Sequence, residues 1–95
     1  MTFAPLFERT LHGGPQKIFR FANGFGASVI RNEFSYGSAD GLWELAVIKF
    51  DGDGAKFGLT HETPITDDVL GHLTDQAVED TLQKISELPV AEVNT

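Results

Sequence analysis

Ninety-five residues, 41% of them hydrophobic, are enough for one packed core and too few for two independent domains. Seven Lys and Arg against fourteen Asp and Glu leave a formal net charge of −7, which disfavours direct binding to nucleic acid or anionic lipid and favours a basic partner. The chain has no Cys, which excludes disulfides, thiolate catalysis and Cys-ligated zinc.

No apolar run is long enough to cross a bilayer. Met1 to Leu11 carries Glu8 and Arg9 and lacks an apolar stretch with a small-residue cleavage site, so no signal peptide is expected. These features together favour the cytoplasm. Eight Phe and one Trp supply much of the core, because large rings bury the most area per ordered residue. A domain of this size keeps much of its surface wet, so its stability is modest and a homodimer would add to it.

In chain order, Leu6 to Leu11 reads as a first strand or an arm, ended by Gly13, Gly14 and Pro15, which break regular structure. Gln16 to Ala22 and Phe25 to Arg31 read as two strands joined at Asn23-Gly24. That dipeptide between apolar runs predicts a type I′ hairpin turn, in which both central residues need positive φ. Phe19 and Phe21 share one face, and Phe25, Ala27 and Val29 alternate likewise.

Leu42 to Phe50 is the next strand. Trp43, Leu45 and Val47 line one face while Ala46, Ile48 and Phe50 make the other partly apolar. A strand apolar on both sides is central in its sheet or covered twice. Asp51 to Gly54 forms a turn, and Lys56 to His61 returns as a shorter strand. Pro64 ends the strand region. Thr66 caps a short helix beginning at Asp67 and Asp68 and limited by Gly71. Thr74 caps a longer helix to about Leu88, stopped by Pro89. Val78, Thr81, Leu82, Ile85 and Leu88 form its apolar stripe, and Asp80 and Lys84 are spaced for an ion pair.

The expected fold is α+β: an antiparallel meander of four to five strands with one short and one longer C-terminal helix packed on one face. Within this single domain, 1–14 is an arm or strand, 15–62 the sheet, 66–88 the helices and 89–95 a frayed tail.

Two segments carry a resemblance. One is Phe34, Ser35, Tyr36, Gly37 and then Gly41 to Val47. The other is Thr63 to Thr74, leading into the amphipathic helix. The chain resembles small, mostly uncharacterised accessory proteins of actinobacterial phages over roughly its second two thirds. The resemblance implies expression inside an infected bacterium and brings no activity and no catalytic residues.

No constellation that a known chemistry requires occurs in the sequence. Asp51-Gly52-Asp53-Gly54 opens like a calcium loop, but Ala55 and Lys56 stand where an oxygen ligand and Gly belong, so a hairpin turn is the better reading. His12, His61 and His72 form no metal-binding spacing. His61 with Glu62 and Asp51 or Asp53 could gather an imidazole and carboxylates, or could simply be a surface His beside an acid. The Ser residues lack an identifiable base. Gly24 and Gly26 resemble the start of a phosphate loop, but the order is strand, tight turn, strand, with no helix N-terminus to receive the anion. No cofactor and no metal are therefore expected.

Asp67, Asp68, Asp75, Glu79 and Asp80 cluster at two helix starts. They serve as capping and solubilising charge, or as an acidic docking face for a basic surface. Phe3, Phe7, Phe34, Tyr36 and Phe57 exceed what one small sheet face buries. They mark either an interface or a second mini-core under the N-terminal arm. The reading that follows is a non-enzymatic, acidic protein-binding module with a host or phage protein as partner, centred on the five acids with Phe34 and Tyr36. A self-assembling accessory protein and an acidic mimic of nucleic acid are the alternatives.

Overall fold

A computed structural model of the protein describes residues 3–32, 40–50, 57–59 and 69–89. Alternating apolar residues produce β1 (Phe7–Leu11), β2 (Gly14–Arg20), β3 (Phe25–Ile30), β4 (Trp43–Phe50), β5 (Phe57–Leu59) and β6 (Val69–Leu73), followed by α1 (Asp75–Ser86). The strands form one antiparallel sheet in the order β1-β2-β3-β4-β5, and β6 pairs with β4. This is the α+β arrangement expected from the sequence, with a single described helix. The strand apolar on both faces is central, as its pattern requires: β4 pairs with β3 along one edge and with β5 and β6 along the other.

The β1–β2 and β2–β3 hairpins are both present, and the type I′ turn falls in the first of them. His12 (φ 50°) and Gly13 (φ 80°) carry the two positive φ values of a type I′ turn, and Leu11 pairs with Gly14 across it. The type I′ expectation at Asn23-Gly24 is not met. Only Gly24 has positive φ (88°), Gly24 N–H donates to Phe21 O (3.1 Å) and Phe21 N–H to Phe25 O (2.9 Å). That pattern is a three-residue loop with a bulge glycine. Gly14 and Pro15 do not break the chain either. They open β2, because Gly14 lies so close to Arg31 O that a side chain would not fit.

The expected short helix is replaced by β6. Thr66, Asp67 and Asp68 lie outside the described residues, but Val69–Leu73 is strand. Gly71 is a poor helix former, and the half of the β4 edge that the three-residue β5 leaves open offers backbone partners instead. Trp43 pairs with Leu73 and Leu45 with Leu70, so Gly71 and His72 together oppose Glu44. His72 takes φ 57° in this bulge.

The helix follows its predicted design. Thr74 Oγ1 accepts from Ala77 N–H (3.1 Å) as N-cap. Val78, Thr81, Leu82 and Ile85 are buried, and Thr81 returns its hydroxyl to Ala77 O (2.7 Å). Asp80 accepts from Gln76 Nε2 (2.9 Å) in place of the expected Lys84. The stripe packs on Phe19, Ala27, Val29, Trp43, Leu45 and Val47, with Phe3, Phe21 and Phe25 at the margin. Each fully buried Leu or Ile contributes about 1.5–3 kcal/mol.

The opposite face has its own cluster of Ile18, Ile48 and Phe50, with Phe7 and Phe57 against it. Arg20 lies 4.7 Å from the Phe50 ring centre. Beside this cluster a polar ladder crosses three strands: Arg9 Nε donates to Gln16 Oε1, and Gln16 Nε2 donates to Ser28 Oγ (2.9 Å). The two-residue period of the strands thus separates two apolar clusters through the sheet.

Candidate functional site

The chain passes from β6 to α1 through Thr74 alone. Because Leu73 pairs with Trp43, the first residue of the helix is delivered to the Trp43 indole. Asp75 Oδ1 accepts from Trp43 Nε1–H at 2.8 Å. One turn later Glu79 falls on the same side of the helix.

Cross-strand register brings two cations to the same place. Lys17 pairs with Val29, and Val29 with Leu45. Arg31 follows Val29 by two residues, as Leu45 follows Trp43, so Lys17, Arg31 and Trp43 share the face beneath α1. Lys17 Nζ lies 5.1 Å and Arg31 Cζ 4.2 Å from the Trp43 ring centre. Contacts of this kind are worth about 0.5–2 kcal/mol depending on desolvation. Arg31 Nη1 also donates to Gly41 O (3.1 Å), which holds the guanidinium over the ring.

These side chains wall a cleft of about 330 Å³ between α1, the helix-side face of the sheet and the N-terminal arm, where Phe3 and Pro5 complete the lining. Phe3 is anchored edge-on against Phe21, with ring centres 5.3 Å apart. The cleft gathers two of the seven cations of an acidic chain opposite two carboxylates. One carboxylate is used internally by Trp43. The other is not: Glu79 Oε2 is buried without a hydrogen-bond partner. A buried oxygen left in that state costs about 1–3 kcal/mol or more, so its retention calls for an explanation.

Of the residues singled out in the sequence, Asp75 and Glu79 come together in this cleft, while Asp80 is exposed and bonded to Gln76. Asp67, Asp68, Phe34 and Tyr36 lie outside the described residues, as do the 51–54 turn, His61, Glu62 and the tail beyond residue 89. Phe3, Phe7 and Phe57 are half-buried against the two clusters, and Leu6, 49% exposed, is the large hydrophobic that stands out among the described residues. His12 and His72 each occupy a positive-φ position. Among the described residues no three of His, Asp and Glu converge as metal ligands, and no helix is long and apolar enough to cross a membrane.

Lys17 and Arg31 did not stand out in the sequence, and Trp43 was marked only as a core residue of its strand. The available signal was the position of Lys17 in β2. It is a charged residue in phase with Phe19, on the side that the alternation assigns to the core. No protein-family model, no curated protein and no solved structure matches the chain, so the chemistry of this cleft carries the functional argument.

Proposed function

We propose that the protein is a non-enzymatic binding module that engages another protein, inside a bacterial cell, through the cleft beside Trp43. The observation that carries this reading is the charged cleft itself, in which Lys17 and Arg31 lie against the Trp43 ring and Asp75 and Glu79 complete the lining. The described lining offers two carboxylates and two cations but no His, Ser or Thr. That lining contains no hydroxyl beside an imidazole, the pair that nucleophilic catalysis of the serine type needs.

Crosslinking tests the proposal. A photoreactive phenylalanine derivative replaces Pro5, which lines the cleft, or Gln83, which is exposed elsewhere on α1. Each protein is irradiated in an actinobacterial lysate, the host suggested by the phage resemblance. A discrete protein adduct from position 5, absent from position 83 and lost on charge reversal of Lys17 and Arg31, is expected. No adduct from position 5, or the same adducts from both positions, overturns the reading.

One observation favours self-assembly as a second reading. The outer edge of β1 carries no strand among the described residues, and Glu8, Arg9 and Thr10 are exposed along it. An open edge is a template for a further strand. A constant monomer mass across a hundredfold range of concentration eliminates this reading.

A further inference from the structure

We infer that residues 3–6 form a strap that closes the cleft and lifts from it while the sheet and α1 stay folded. Its role as a gate rests on the binding-module reading, whereas the motion stands on the contacts of the arm itself.

The sequence sets the arm apart from the strand it precedes. Pro5 has no N–H to give to a ladder, and β1 pairs with β2 from Phe7 onward. Residues 3–6 belong to no helix or strand. Their burial alternates: Phe3 and Pro5 are half-buried along the cleft, while Ala4 and Leu6 are exposed. Among the described residues, one backbone hydrogen bond ties the arm to the sheet, from Leu6 N–H to Ile18 O (2.6 Å), at the end next to β1. The far end is held by the Phe3 ring, edge-on to Phe21. A segment anchored by one hydrogen bond and two half-buried side chains opens far more readily than a strand paired along its whole length.

The rest of the fold does not depend on the arm. Phe3 and Pro5 share the cleft lining with Phe19 and Val29 of the sheet and Leu82 of α1. The same apolar cluster continues past the cleft through Leu45, Val47 and Ile85, which do not line it. Helix and sheet therefore keep a common core when the arm is away. Lifting removes one wall of a cleft of about 330 Å³ and gives a partner access to Trp43 and its two cations.

The experiment uses introduced thiols in the full chain, which has no Cys of its own. Val29 and Val47 are each 1% exposed in one cluster, but Val29 lines the cleft and Val47 does not. Val29→Cys and Val47→Cys are treated with a small methanethiosulfonate, and the rate of modification is followed by mass in increasing sub-denaturing urea. The Val29 thiol is expected to react at least about tenfold faster, with a much weaker dependence on urea, because lifting the arm exposes little surface and global unfolding exposes most of it.

Two further substitutions assign the opening to the arm. Phe3→Ala is expected to speed the Val29 thiol by about tenfold or more, through loss of the ring contact. Phe3→Leu repeats that comparison with a milder change should Phe3→Ala unfold the chain. Ile85→Val weakens the helix–sheet core and is expected to speed the Val47 thiol by about threefold or more while leaving the Val29 thiol unchanged. Equal rates and equal urea dependence at the two positions overturn the inference. So does a Val29 thiol that ignores both changes at Phe3 or follows Ile85→Val, which would place the opening in the helix. These rates need no partner, so failure of the strap leaves the crosslinking test of the binding module to stand by itself.

Discussion

Asn23 Nδ2 donates to Ile85 O at 2.8 Å and to Leu88 O at 3.0 Å, while Asn23 Oδ1 accepts from Phe25 N–H at 3.0 Å. One side chain in the β2–β3 turn therefore supplies donors to two carbonyls at and just beyond the C-terminal end of α1, of which Ile85 O also accepts from Leu88 N–H (3.2 Å). It also explains the turn type. The amide of Asn23 is committed to the helix, and the positive φ falls on Gly24 alone.

Removing that link should cost more than an ordinary turn substitution. Asn23→Ala removes three hydrogen bonds, leaving Leu88 O and Phe25 N–H short of partners and Ile85 O with Leu88 N–H, and is expected to destabilise by about 2–4 kcal/mol. Asn23→Asp retains the acceptor but places a carboxylate against carbonyl oxygens, and is expected to cost at least as much at neutral pH. Urea unfolding followed by Trp43 fluorescence measures both. A loss below about 0.5 kcal/mol for either variant contradicts the account.

The Trp43–Asp75 bond predicts coupling between β4 and α1. Trp43→Phe is expected to cost about 2 kcal/mol through the lost hydrogen bond and the smaller ring. Asp75→Ala is expected to cost about 1 kcal/mol. The double variant should fall short of the sum by about 0.5–1.5 kcal/mol, since the shared bond can be lost only once. Strict additivity would show that the contact does not matter.

Glycines separate by what surrounds them. A methyl group at Gly26 would collide with Phe19 O and with the Phe50 ring, whereas one at Gly58 meets nothing within 4 Å. Gly26→Ala is expected to lose about 3 kcal/mol or more, and Gly58→Ala to stay within about 0.5 kcal/mol of the parent. Thermal melts of the two proteins give the comparison directly.

His72 is exposed and occupies φ 57° in the bulge of β6. A left-handed conformation costs a residue with a Cβ about 1–2 kcal/mol, part of which glycine returns as lost chain entropy. His72→Gly is therefore expected to stabilise by about 0.5–1 kcal/mol. A drop in melting temperature would indicate that the imidazole, rather than the backbone, matters there.

Where local chemistry was sufficient, the sequence was readable. The β2–β3 hairpin, the doubly apolar β4 and the Thr74-capped helix all follow from neighbours within a few residues. Asn23-Gly24 marked the position of its turn and misidentified its type, because the competing partner of Asn23 lies more than sixty residues away on α1. The Val69–Leu73 segment has acidic residues and a cap in front of it, which read as a helix start. It forms a strand because β4 presents unpaired backbone there, a fact absent from its own residues.

The candidate site shows the same division. Asp75 and Glu79 were visible as acids one turn apart, and their spacing alone places them on one side of a helix. Composition and periodicity determined the fold class, the alternation of the strands and the stripe of α1, since each depends on short-range geometry and on hydrophobic burial. Which charges meet at Trp43, and that one carboxylate oxygen is buried without a partner, was decided only when β2, β3, β4 and α1 packed together. Electrostatic contacts depend on distances through space, and those distances come into being with the tertiary fold.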